Sequence, residues 1–529
     1  MYQKINLPFS DIPQFSDRDK AYQGADPRLR EFYEHEVSID AFANVFKARK
    51  DFEVDRSSLV NSLVKDYERL VTSDQTLTNI KSLGDSNTYT IVTAHQPSIL
   101  TGPLYFIYKI CSVISLSQKL NSKYTDYHVV PVFVMGGEDH DFEEIATLHL
   151  FGQDFTWETD QVGATGRMNL TGLEEVLEAV QEKLGDSDNA ASLKSMIDTA
   201  YEQSDSYGQF MVHLVNALFG RFGLVICNMD NPNLKQSLLP YVTKDIQQRD
   251  SERCVQDDQA ALATKGFKSQ AHARGVNIFW HDGDRHRVIS EGDKYTIGER
   301  TLSESALIAQ LNNDPGSISP NVVLRPVYQE VALPNLAYIG GGGELAYWLE
   351  RKSLFETWNI PFPMLIRRDS VMIVDKKSAK FVASAGLEFT DVFEREEQLV
   401  GKYAHAHAAA EIDFTEQRAA LKATFESLAA TAKQIDPTLE RTALSEESKA
   451  QKSIDMLENK LLKAEKQKNE VALNKLKKIK NKFFPGNDGL QERYDNFIPF
   501  YLKHGEDWIA ELILQLDPLD KSFKILVEA

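Results

Sequence analysis

Three polar clusters, far apart along the chain, hold residue types able to move protons or grip anions. The first is Thr93-Ala94-His95-Gln96-Pro97, closed by Thr101-Gly102-Pro103-Leu104-Tyr105 and followed by Lys109. It offers an imidazole that titrates near neutrality, an amide that donates and accepts, and an ammonium. A capped helix start would select some of the same residues. The second is Gly136-Gly137-Glu138-Asp139-His140-Asp141-Phe142-Glu143-Glu144. Glycine lets backbone approach a ligand closely, and the carboxylates and imidazole behind it suit acid/base work or a magnesium ion carried by a nucleotide. Glu143 and Glu144 read as first-turn charges of a following helix. The spacing matches no zinc or calcium loop, so no metal ligand set is assigned.

The third cluster runs Leu324-Arg325-Pro326-Val327-Tyr328-Gln329-Glu330, then Pro334 to Ile339, then four glycines, Gly340 to Gly343, before Glu344-Leu345-Ala346-Tyr347-Trp348. Consecutive glycines ahead of a helix expose N–H groups that can cradle a carboxylate or phosphate, and Arg325 supplies a planar fork for the same groups. Neither a Walker pattern nor a clean dinucleotide fingerprint is present. His281, Asp284 and His286 sit in a hairpin turn and read as solvated; so do His405 and His407. Cys111 and Cys227 lie in apolar runs and read as packing residues.

Positioning three such clusters needs a framework. From Tyr89 to Thr93, from Val129 to Met135 and from Leu224 to Asn228 the chain is β-branched or continuously apolar, and each run ends in a polar loop. Helical patterns follow, notably one from Leu104 to about Leu120. Strands alternating with helices predict an α/β fold with a mainly parallel sheet, whose ligands lie outside the carboxyl ends of the strands. Residues 1–85 read as a helical lead-in, with Leu59, Leu63, Tyr67 and Leu70 on one face; 86–410 as the core, with an insertion near 265–300. A core segment is expected to return at Asn321 to Arg325 and another strand at Met364 to Arg368. From 411 to 484 the composition is that of long helices turning at Pro437, an antiparallel arm; 485–529 reads as a segment returning to the core.

Length and charge bound the rest. At 529 residues the chain exceeds one core. A net charge of −19 argues against general nucleic-acid binding and requires an anionic substrate to have its own cationic cluster. Three cysteines and no long apolar run point to a reducing, cytoplasmic setting without a membrane span.

The stretches HQPSILTGPLYFIYK (His95 to Lys109), PVFVMGGEDHDFEEI (Pro131 to Ile145) and LRPVYQE with LPNLAYIGGGGELAYW (Leu324 to Trp348) together resemble the bacillithiol-synthesis cysteine ligase family, BshC. The family usually has Gly-Gln where this chain has Ala94-His95, and another residue within the glycine run. The resemblance implies a Rossmann-like core with connecting insertions, a long α-helical coiled-coil arm that dimerises, and affinity for an adenine nucleotide. The implied reaction joins cysteine to the amino group of glucosaminyl-malate, with ATP, and magnesium with it, activating the cysteine carboxyl. Catalytic roles fall on His95, Asp139 and His140 as proton acceptors. Arg325, Lys109 and the glycine-run N–H groups of Gly341 and Gly342 would hold carboxylates or an oxyanion, and Gln96, Tyr105, Glu138, Gln329, Tyr338, Glu344 and Tyr347 complete the substrate site. Two other readings of the same residues are a nucleotidyltransferase acting on a different small substrate, and a non-catalytic ligand-binding scaffold with a dimerising arm.

Overall fold

The computed structural model describes residues 1–407, 413–468 and 470–529. It divides into two compact units, one built from Gln3–Met372 and Glu492–Ile525 and the other chiefly from Ile373–Gln491.

The first unit is organised by five parallel strands: β1 (Thr88–His95), β2 (His128–Met135), β3 (Val225–Asn228), β4 (Asn335–Gly340) and β5 (Met364–Arg367). Their spatial order is β5-β4-β1-β2-β3. The chain therefore steps outward from β1 through β2 to β3, then returns to lay β4 against the other edge of β1. That reversal between β1 and β4 is a topological switch point, where the loops leaving the two strands part and open a crevice. Tyr89, Ile91, Leu336, Ile339, Met364 and Ile366 are buried with Phe42 and Phe46 of the lead-in and with Val113 and Leu116 of helix α1 (Leu104–Lys123). Fourteen residues of α1 are buried, so it lies inside the unit rather than upon it.

The lead-in opens with a strand, Tyr2–Pro8, before its helices, which sequence periodicity did not register. One of these, Arg56–Tyr67, buries Leu59, Leu63 and Tyr67 and is capped by Asp55, which accepts from the Ser58 N–H at 2.9 Å. Between β3 and β4 lies an antiparallel sheet of Ile278–His281, Arg285–Glu291, Lys294–Ile297, Arg300–Ser303 and Ile318–Pro320. Two expectations are corrected here. Asn321 to Arg325 is no core strand: Asn321 Oδ1 accepts from the Val323 N–H at 2.8 Å, and the turn so formed delivers Arg325 and Pro326 to the first turn of α2 (Arg325–Ala332). The core strand is β4, ten residues later. Nor does a helix follow the acidic loop, since Phe142 to Ala146 form turns that run into a short hairpin, Thr147–Leu150 with Gln153–Thr156.

In the second unit, α4 (Thr415–Ile435) and α5 (Leu439–Lys468) form a helical hairpin on either side of Pro437. Arg418 pairs with Asp455 at 3.0 Å and with Glu458, and Lys433 with Glu440 at 3.0 Å. The unit begins at Ile373, ahead of the composition change near 410, because Phe389 and Phe393 pack on Phe483 and Phe484. The expected boundary at 410/411 lies outside the described residues. Among the described residues no helix is long and apolar enough to cross a membrane.

Candidate functional site

A cavity of about 880 Å³ opens at the carboxyl ends of β1, β2, β4 and β5. Volumes of this order hold a small molecule with most of its surface covered. The three clusters singled out in the sequence converge there: His95, Gln96, Tyr105 and Lys109 from the first, Glu138, Asp139 and Glu144 from the second, and Arg325, Gln329, Gly341, Gly342, Glu344 and Tyr347 from the third. His140 and Tyr338 do not line it.

The loop after β1 is shaped by backbone strain. Leu100 and Thr101 have φ of 44° and 68°, and Gly102 has φ of 58° with Ser98 Cβ only 2.7 Å from where a Cβ would stand. Asn496 holds the strained turn, its amide donating to the Leu100 and Gly102 carbonyls at 3.0 and 2.6 Å. His95 ends β1. Its Nδ1 lies 2.8 Å from the Gln96 carbonyl, which only accepts, so Nδ1 carries the proton and Nε2 accepts from the Tyr105 hydroxyl at 3.3 Å. Burial, with Lys109 close by, lowers its pKa to about 4. The imidazole is neutral and weakly basic, a fixed acceptor rather than a ready base.

Lys109, on α1, is 2 % exposed; it donates to the Ala94 carbonyl at 2.5 Å and pairs with Glu344 at 2.7 Å. Glu344 belongs to α3 (Gly342–Trp348), which starts at the glycine run. Burial alone would raise its pKa, but Lys109, the Tyr338 hydroxyl at 2.5 Å and the Gly341 N–H at 2.7 Å bring it down to about 2. Two sequence expectations change. Tyr338 faces Glu344 instead of the cavity, and the Gly341 N–H is spent on the Glu344 carboxylate, which leaves the N–H groups of Gly342 and Gly343 for a ligand. Gly342 has a packing reason as well, since a Cβ there would collide with the carboxylate of Asp19, which holds Arg367 at 3.0 Å. A Cβ on Gly343 would meet nothing within 4 Å.

On the acidic loop, Asp139 accepts from Gln96 Nε2 and the His140 N–H, both at 2.8 Å. Burial opposes ionisation, yet these donors and Arg285 at 3.7 Å lower its pKa. His140 is half exposed, and its Nδ1 accepts from Arg285 at 2.7 Å. That bond commits one ring nitrogen and turns the side chain away from the cavity, so the expectation of His140 as a proton acceptor in the site is not supported by its placement. Glu138 is buried against Lys235 at 2.7 Å, and Lys235 also meets Asp230 at 2.6 Å. Arg167 grips Asp230 with two bonds of 2.6 and 2.7 Å.

Arg325 stands at the start of α2. Its guanidinium bonds neutral groups, the Tyr347 hydroxyl at 2.9 Å and Gln329 Oε1 at 3.3 Å, and lies 5.6 Å from the Tyr338 ring. Burial would lower its pKa, but Tyr347, Tyr338 and Glu344 raise it, so it is always charged.

Further lining residues escaped the sequence reading. Arg285, from the inserted sheet, stacks 3.8 Å above the Phe279 ring. Arg367 and Arg368 end β5, and Arg368 forms a bidentate pair with Glu492 at 2.8 and 3.0 Å. Their position at the end of an expected strand was a usable signal; Arg493, which arrives from the returning segment, had none. His281 is also corrected: it is 6 % exposed instead of solvated, because its strand is paired on both sides. Cys111 and Cys227 are buried.

The lining thus carries six cationic side chains, Lys109, Arg285, Arg325, Arg367, Arg368 and Arg493, against four carboxylates, Glu138, Asp139, Glu144 and Glu344, in a chain whose net charge is −19. A parallel sheet with the strand order of the first five strands of a Rossmann fold, and a cationic small-molecule cleft at its switch point, defines an enzyme of the Rossmann-like α/β class. Comparison with known proteins specifies it further. Residues 4–369 match the family model "Bacillithiol biosynthesis BshC, N-terminal Rossmann-like domain", and residues 371–528 match "Bacillithiol biosynthesis BshC, C-terminal coiled-coil domain". The chain belongs to the BshC family. Among its relatives is the protein named "Putative cysteine ligase BshC" of Flavobacterium johnsoniae, 39% identical with 97% of each chain covered. Proteins of the same name from Flavobacterium psychrophilum, 36% identical with 96% of each chain covered, and Cytophaga hutchinsonii, 30% identical with 98% of this chain and 97% of the other covered, are also similar.

Proposed function

We propose that this chain joins the carboxyl group of cysteine to the amino group of glucosaminyl-malate, the last step of bacillithiol biosynthesis, in the cytoplasm. The observation that carries the reading is Arg325, a cation at the cleft whose bonded partners are neutral. A half-buried cation so placed calls for an anion from the ligand. The substrate carries the malate dicarboxylate at one end and an amine on the sugar. The cleft has matching polarity: Arg367 and Arg368 stand at the end of β5, whereas Glu138 and Asp139 follow β2.

Amide formation from a free carboxylate is uphill in water, so ATP supplies the activation when bound. Gly342, Gly343 and Arg493 are the donors that fit its phosphates, and magnesium would come with the nucleotide. Lys109, fixed by Glu344 and the Ala94 carbonyl, faces the same space and can stabilise an oxyanion. The arm exposes Met456 and Leu457 on α5, an apolar surface suited to pairing two copies of the chain.

Purified protein given ATP, cysteine and glucosaminyl-malate is expected to produce bacillithiol, detected by its mass. No product, with binding of all three compounds demonstrated by calorimetry, overturns the assignment.

A further inference from the structure

We infer that Glu138 is the general base that deprotonates the substrate amine, with Lys235 and Asp230 as residues that position it. This rests on the amide-forming reaction proposed above. His95, Asp139 and His140 are the obvious candidates from sequence, and the geometry sets each aside. His95 is a neutral acceptor already engaged by Tyr105. Both oxygens of Asp139 accept hydrogen bonds, from Gln96 and from the His140 N–H. His140 lies off the cavity with Nδ1 engaged by Arg285.

Glu138 differs on each count. It lines the cavity, and one oxygen, Oε1, is anchored by Lys235 at 2.7 Å while the other is left for a ligand. Lys235, completely buried, is shared with Asp230 at 2.6 Å, and Asp230 is itself gripped by Arg167. The charged and titratable groups facing Glu138 are therefore Lys235, Asp230, Arg167, Arg285 and the Tyr328 hydroxyl. Tyr328 donates to the Met229 carbonyl at 2.7 Å and so gives Glu138 no proton. Burial raises the proton affinity of Glu138, Lys235 lowers it, and Asp230 on the far side of the same ammonium raises it again. The net upward direction moves a carboxylate toward the range in which it can take a proton from an ammonium and later release it.

The step balances as follows. The amine enters as an ammonium and passes one proton to the free Glu138 oxygen. Its nitrogen then attacks the carbonyl carbon of cysteine activated as an acyl-phosphate or adenylate. The C–N bond forms as the C–O bond to phosphate or AMP breaks, and the second proton lost from nitrogen goes to solvent.

Three variants test this in the mass-detected assay. Glu138→Gln is expected to lower kcat about 10²-fold or more while KM for glucosaminyl-malate stays within about three-fold, and its deficit should shrink as rising pH deprotonates the amine in solution. Asp230→Asn frees the Lys235 charge for Glu138, so the acid limb of the pH–rate profile should move to lower pH; Lys235→Met should move it the other way, each by about one unit. Circular-dichroism melting establishes that each variant is folded, and Glu138→Asp, which keeps a base, should recover part of the loss. Full turnover by Glu138→Gln, a deficit confined to KM, or limbs that move together would overturn the role of Glu138 while leaving the ligase reading intact. Absence of product from the unaltered protein overturns both.

Discussion

Two glutamates of the cleft each touch a buried lysine at the same distance, yet their proton affinities move in opposite directions. Glu344 meets Lys109 at 2.7 Å and falls to about 2; Glu138 meets Lys235 at 2.7 Å and is raised. Separation from the cation is therefore not what decides. Glu344 has a lysine whose other bonded partner among the described residues is a neutral carbonyl, and it accepts from a tyrosine hydroxyl and a backbone N–H as well. Glu138 shares its lysine with a second carboxylate. The number of donors, and whether a cation is divided, sets the charge state of each end of the site. One end is a fixed ion pair that organises the glycine run. The other can change its proton.

Removing the lysines should produce the largest separation between the two. Lys109→Met leaves Glu344 ionised without its cation and should cost about 3 kcal/mol in urea unfolding. Lys235→Met should cost less, since Glu138 escapes by taking a proton and Asp230 keeps Arg167. The reverse order would break the comparison.

A smaller effect is expected at the glycine run. Gly342→Ala must push Asp19 aside and loosen Arg367, at about 2 kcal/mol of stability together with weaker binding of a dicarboxylate probe such as malate. Gly343→Ala has open space and should stay within about 0.5 kcal/mol of the unaltered protein. Equal losses would mean that the Asp19 contact is not what requires glycine there.

The smallest signal is one of slope, no more than about 1.4 kcal/mol per pH unit for each group. Glu344 has a folded pKa near 2 against an ordinary 4.5, so its contribution is full above 4.5 and is lost as pH falls toward 2. The stability advantage of the unaltered protein over Glu344→Gln should shrink across that window. Glu138 is raised above 4.5, so its contribution is present below 4.5 and is lost as pH rises through the folded value. Glu138→Gln should therefore gain relative stability on going from acid to neutral pH. Slopes of the same sign in melting experiments would contradict the assigned charge states.

How much of this could be read from the sequence follows from what local pattern encodes. β1, β2 and β3 announce themselves because strands buried on both faces are β-branched or continuously apolar and stop at polar loops. β4 is masked by its flanks, with Leu333-Pro334 before it and Gly341 to Gly343 after it, so that Asn335 to Gly340 reads as part of a loop while the Asx turn at Asn321 reads as strand. The three clusters were visible as residue types, and their convergence follows from the sheet rule; their internal bonding does not. That Gly341 is consumed by Glu344, or that His140 turns toward Arg285, depends on partners far away in sequence. Arg493 and Glu492 enter from a segment more than a hundred residues beyond β5. No local pattern could place them.

The order β5-β4-β1-β2-β3 also bears on how the protein is made. β1 leaves the ribosome long before β4, and the turn after β1 awaits Asn496. At ordinary translation rates roughly 20 to 80 s separate His95 from Asn496. For the first part of that interval, roughly 12 to 48 s until β4 (Asn335–Gly340) emerges, the nascent chain has an unpaired β1 edge exposed to wrong partners. Chaperone engagement during synthesis should peak in this window and fall once the last forty residues emerge, and fragments ending before Glu492 should be inert however well their sheet forms.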